Sequence, residues 1–102
     1  MAGKNLQCRK INRVEFCQDT EYAYTDIGKD GKVWRGNHKG FDITVYPVAL
    51  INRRIKGWEY SLWNEKKGVD WDSLAETSTG GDHAKDAKQA MKWAKNTVED
   101  WK

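Results

Sequence analysis

Apolar and polar positions alternate along most of the first three quarters of the chain, and then the period changes. Val14-Glu15-Phe16 alternates, and the run 21–27 sets Tyr22 and Tyr24 on one side. Phe41, Ile43 and Val45 alternate with Asp42, Thr44 and Tyr46, and Trp58, Tyr60 and Leu62 with Glu59, Ser61 and Trp63. A period of two marks a strand with one buried face. Turn residues separate these runs: Gly28-Lys29-Asp30-Gly31, the run 36–40 with glycine at both ends, and Asn64-Glu65-Lys66-Lys67-Gly68. Asp-Gly between alternating runs is a hairpin signal. Pro47 has no N–H to give a ladder, so the strand it follows should end, bulge or lie at an edge there. The run 69–77 reads as one more strand, with Val69, Trp71 and Ala75 opposite Asp70, Asp72, Leu74 and Glu76.

From Ala84 the spacing becomes three and four: Ala84, Ala87, Met91, Ala94, Val98 and Trp101. That stripe predicts a helix over 82–101, with Thr79 and Asp82 resembling a capping box at its start. The expected fold is α+β, an antiparallel meander of four to five strands packed against one C-terminal helix. At 102 residues the chain has the commonest length of one domain. Residues 1–12, polar and basic without a period, read as a partly ordered arm.

A helix on one side of such a sheet leaves a second face to account for. The alternation places Asp42, Glu59, Asp70, Asp72 and Glu76 there around Tyr46, Trp63 and Leu74, with no lysine or arginine among them. Tyr46, Glu59, Trp63, Asp70, Asp72 and Glu76 are therefore candidate protein-binding residues. An aromatic centre in a charged surround suits a protein interface, and carboxylates repel phosphate and favour a basic partner. The plainer alternative is that the N-terminal strands cover this face or that water simply solvates it. Lys85, Lys88, Lys92 and Lys95 form a basic ridge on the predicted helix, and Arg53, Arg54, Lys56, Lys66 and Lys67 sit in loops. These are candidate nucleic-acid contacts, because lysines pair with phosphates while aromatics stack on bases. Such rows are more often only a solvated face. Trp93 lies off the apolar stripe.

Composition narrows the classes. Twelve aromatic residues, six of them Trp, exclude a disordered chain. The net charge of +3 divides into +5 over residues 1–57 and −2 over 58–102, short of a strongly basic nucleic-acid binder. No apolar run approaches the roughly 18 residues of a membrane span, and the start lacks the apolar core of a signal peptide. A cytoplasmic location is expected, with Cys8 and Cys17 as thiols, although their spacing also allows a disulfide. No phosphate loop, dinucleotide fingerprint, zincin pair or nucleophile elbow is present. Cys8, Cys17, His38 and His83 are zinc-ligand types, but intervals of 9, 21 and 45 residues match no closely paired arrangement. Asp70 and Asp72, with Glu59 beside them, have the carboxylates for a divalent cation, yet a flat β-face excludes water poorly. No catalytic residue, metal or cofactor is expected, and the chain reads as a binding protein.

Two resemblances bear on the partner. Residues 57–94, with Trp58-Glu59-Tyr60, a third strand and the Ala84, Ala87, Ala90 helix, loosely resemble the sheet-plus-helix DNA-binding domains of plant APETALA2-type factors and phage integrase arms. Those domains offer a basic sheet face to the major groove, whereas this one is expected to offer acids. In size and character the chain resembles the small accessory proteins of bacteriophages, including anti-CRISPR and anti-restriction proteins. That likeness implies a non-enzymatic domain that blocks a host nuclease complex, with an acidic patch occupying a basic nucleic-acid groove. It carries over no individual residues.

Overall fold

Alternation becomes strand wherever a second strand can pair with it. The computed structural model describes residues 7–19, 32–49 (of Ala49 the backbone only), 55–77 and 80–101. The hairpin expected at 28–31, Tyr22, Tyr24, Thr79, Arg53 and Arg54 lie outside them. Among the described residues six strands form one sheet: β1 (Cys8–Ile11), β2 (Val14–Asp19), β3 (Val33–His38), β4 (Phe41–Ala49), β5 (Ile55–Asn64) and β6 (Val69–Asp72). Their spatial order is their chain order, and every neighbouring pair is antiparallel. The fold is thus the expected α+β antiparallel meander with a C-terminal helix, with six strands where four to five were expected.

The sixth is β1, from the stretch read as an arm. Ile11 faces Val14 across a two-residue turn whose Asn12 and Arg13 have φ of 49° and 73°, the left-handed pair of a tight hairpin. Only Ile11 of this strand is buried, so no period showed in the sequence. The β3–β4 turn uses the same device at Lys39 and Gly40, with φ of 52° and 82°. β4 does not stop at Pro47 but continues opposite Trp58. Trp58 turns its N–H and C=O toward Ala84, away from β4, so Pro47 faces it across a non-hydrogen-bonded pair. The missing donor of Pro47 therefore points away from β5, beyond the end of the β3 ladder at Val45. A bulge follows between Val48 and Ala49.

β6 is shorter than expected. Asp72 Oδ1 accepts the Leu74 N–H at 2.9 Å, a local bond that competes with the ladder, and Ser73–Thr77 form one helical turn, α1. Leu74, Ala75 and Glu76 consequently leave the sheet. The chain returns at Ala84, which exchanges two backbone hydrogen bonds of 2.8 and 3.1 Å with Trp58. The expected start of the main helix is overturned by that return: Ala84 makes an isolated bridge to Trp58, and α2 runs over Ala87–Glu99. Asp86 caps it by accepting the Gln89 N–H at 2.8 Å, and Gln89 answers by accepting the Lys85 N–H at 2.9 Å. α2 buries Ala90, Met91, Ala94 and Val98 against Phe41, Ile43, Val45, Tyr60 and Leu62. Ala90 and Ala94 are fully enclosed, which lets the helix lie close to a sheet of large residues.

Aromatic rings and polar ties close the far end of this layer. Trp101 contacts Phe41 and Trp71, with centroids 5.7 and 6.1 Å apart, and Trp71 meets Tyr60 at 5.6 Å. Tyr60 shares a 2.7 Å hydrogen bond with Thr97, and burial raises its phenol above the usual range. Glu99 joins Lys95 at 2.9 Å and His38 at 3.0 Å; these bonds, Lys95 first, hold its carboxyl below the usual range.

Candidate functional site

The sheet face turned away from α2 is assembled in cross-strand rows. Asp42, Trp63 and Asp70 form one row, Thr44, Ser61 and Asp72 the next, and Tyr46 and Glu59 a third. Trp63 stands in the middle of the first row at 49% exposure, flanked by two exposed carboxylates. The side assigned to it by the alternation of β5 is the side it takes. Asn37 of β3 donates to Asp42 at 2.8 Å. Beside Trp63 the turns contribute Lys39, Lys66 and Lys67, and together with Asp42 and Asn64 these line an open groove of about 500 Å³.

The face is less acidic than expected, for three reasons. Glu59 is buried, at 3% exposure. One carboxylate oxygen accepts the Ser73 hydroxyl and the other meets His83 Nδ1, while Ser73 Oγ accepts the Tyr60 N–H at 2.9 Å. α1 and the returning chain thus cover Glu59 and satisfy it. Gly57 makes this approach possible, because a Cβ there would collide with His83. Second, Asp72 is partly buried and accepts the Tyr46 hydroxyl at 2.5 Å as well as the Leu74 N–H. Third, Glu76 is exposed on α1 and no longer belongs to the sheet. β3 adds a cation that the alternation of 41–77 did not include: Arg35, opposite Thr44 and bonded to Asp19 at 2.9 Å. Of the six candidate protein-binding residues, then, Trp63 and Asp70 are presented outward on the sheet. Tyr46 and Asp72 bond to each other beside them, and Glu59 is structural.

The basic ridge is also reduced. Lys85 precedes α2, Lys95 is tied to Glu99, and Lys88 and Lys92 remain exposed on the helix. Trp93, on the same helix, is 38% exposed. The four zinc-ligand types are not brought together: His38 bonds Glu99 on the helix side and His83 bonds Glu59 on the other. Cys8 and Cys17, expected as thiols, form a disulfide. They are directly opposed in the β1–β2 register, with Cα atoms 4.0 Å apart. The Gln18 N–H bonds the Gln7 C=O at 2.9 Å, which makes the next pair, Cys8 and Cys17, a non-hydrogen-bonded one, where side chains lie closest. The signal for this pairing was the tight turn at 12–13, from which the register follows.

No family model, curated protein or solved structure matches the chain. Residues 57–94 hold most of β5, all of β6 and α1, and the first part of α2. Among the described residues no helix is long and apolar enough to cross a membrane.

Proposed function

We propose that the chain is a non-enzymatic binding module that presents Trp63, with Asp42 and Asp70 beside it, to a basic surface of a partner protein. The observation that carries this reading is the exposure of Trp63 in the middle of an antiparallel row with a carboxylate on either side. A half-exposed tryptophan on a rigid strand brings large contact area at low entropy cost, the character of an interface anchor. Asp42 and Asp70 then select a partner with lysine or arginine around an apolar slot. Nucleic-acid-processing proteins, such as a host nuclease complex in a bacterial cytoplasm, offer that kind of surface, which agrees with the likeness to phage anti-defence proteins.

A second reading is favoured by one observation, the lysines 39, 66 and 67 around the same tryptophan. Lysines beside an aromatic platform suit single-stranded nucleic acid. Affinity capture from a bacterial lysate, with and without nuclease, separates the two. Capture that survives nuclease, is lost in Trp63→Ala and is slowed by Asp70→Lys supports the protein partner. Capture lost on nuclease treatment, with labelled oligonucleotide bound at low salt and weakened by Lys66→Glu and Lys67→Glu, supports nucleic acid and overturns the first reading.

A further inference from the structure

We infer that Cys8, Cys17 and Glu15 form a site for a thiophilic divalent ion such as Zn²⁺, opened when the disulfide is reduced. The ligand atoms of the three residues already lie within 4.8 Å of one another. Sheet geometry brings them there. Glu15 and Cys17 are two apart on β2 and so share a face, and Cys8 is directly opposite Cys17 on β1. Zn–S bonds of about 2.3 Å at a tetrahedral angle separate two sulfurs by roughly 3.8 Å. Two directly opposed cysteines reach that separation by side-chain rotation, with the backbone register unchanged. The register is held independently of the disulfide by the two-residue turn at Asn12 and Arg13, across which Ile11 faces Val14.

Glu15 has its carboxylate to give. Among the described residues no base lies within ion-pair distance of it, Lys10 opposite included. Cys8 and Glu15 are exposed, so an ion reaches the site from solvent. Two thiolates and one carboxylate are a borderline-soft donor set that suits Zn²⁺ better than Ca²⁺ or Mg²⁺, which take oxygen ligands. Three protein ligands leave a fourth tetrahedral position for water or for a donor from another molecule.

The chemistry runs in two balanced steps. Two equivalents of a small-molecule thiol reduce the Cys8–Cys17 bond to two thiols and are themselves oxidised to one disulfide. The divalent ion then binds both sulfurs and displaces their two protons. Disulfide and metal exclude each other, because each needs the same pair of sulfurs. In a compartment that keeps thiols reduced, the metal-binding state is the one available.

The test uses the full chain, reduced with a phosphine that leaves no competing thiol, and titrated with Co²⁺ and then Zn²⁺. The expected result is one ion per chain, thiolate-to-cobalt charge-transfer absorption that Zn²⁺ abolishes, and release of about two protons per ion. The oxidised protein should show none of these. Glu15→Gln should weaken binding while keeping the thiolate band, and Cys17→Ser should lose the band. Equal binding by the oxidised chain, no thiolate band after reduction, one ion shared by two chains, or unchanged affinity in Glu15→Gln would each overturn the proposal. If Cys17→Ser failed to fold, the oxidised-against-reduced comparison and Glu15→Gln would still decide it.

Discussion

Replacing His83 by alanine removes one of the two groups that satisfy Glu59. Glu59 is 3% exposed and the His83 side chain 14%, so the pair sits in a nearly closed space beneath α1. With His83 gone, one oxygen of Glu59 keeps Ser73 and the other loses its partner. Breaking a buried pair in this way costs about 3–5 kcal/mol. His83 is not fully enclosed, and water entering the vacated space offsets part of that, leaving about 2–4 kcal/mol. A domain of this length has about 5–15 kcal/mol to lose, and each kcal/mol shifts its Tm by about 4–8 °C. The expected drop is roughly 8–32 °C. Urea unfolding followed by tryptophan fluorescence measures the free energy directly. Glu59→Gln in the His83→Ala background should recover part of the loss, giving a coupling of about 1–2 kcal/mol. A loss under about 1 kcal/mol for His83→Ala, or strictly additive variants, would refute the assignment of Glu59 as a buried, partner-dependent group.

Ala94 is fully enclosed between α2 and the sheet, so Ala94→Leu should overpack that layer and cost about 1–3 kcal/mol by urea melt. An unchanged midpoint would mean the helix does not lie close there. Gly57→Ala should strike the same region as His83→Ala, because the added Cβ meets His83 and the carbonyl of Ala84. Loss of amide-exchange protection at Ala84 and Trp58 is expected, and retained protection would contradict the close approach. Tyr60 supplies a pH dependence. Its phenol is raised above the 10.0 of an exposed tyrosine, so the unfolded chain releases the proton first. The stability this provides is complete below about pH 10 and is lost as pH rises through the folded value. Tm should therefore fall less steeply as pH rises above about 10 in Tyr60→Phe than in the parent, and parallel curves would count against it.

What could be read in advance was whatever depended on period. The strands around Phe41, Ile43 and Val45 and around Trp58 to Trp63, the stripe of α2, and the outward aim of Trp63 all follow from spacing alone. What escaped depended on side chains reaching back to the main chain. Asp72 capping Leu74 turned an alternating run into α1, and Asp86 capping Gln89 moved the start of α2 past Ala84. Glu59 was assigned to the right side of its strand but the wrong environment, because alternation cannot tell a face open to water from one covered by a later segment. β1 escaped because an edge strand with one buried residue has no period to show. Recognising its turn would have paired Cys8 with Cys17, since residues equidistant from a two-residue hairpin loop must face each other.

Among the described residues the sheet has two borders, and both are poor templates. On one side β1 is four residues long, three of them exposed, with Arg9 and Lys10 among these. On the other the strand beside β5 is broken, pairing at 69–72 and again at Ala84 with a helical turn between. A long, flat, unprotected border invites strand-by-strand addition of other chains, and short, charged or interrupted borders discourage it. α1 therefore does more than cover Glu59: it takes continuity away from the border next to the most aromatic strand of the chain. Trp63 stays in the open on one face while strand addition along the edge beside it is discouraged.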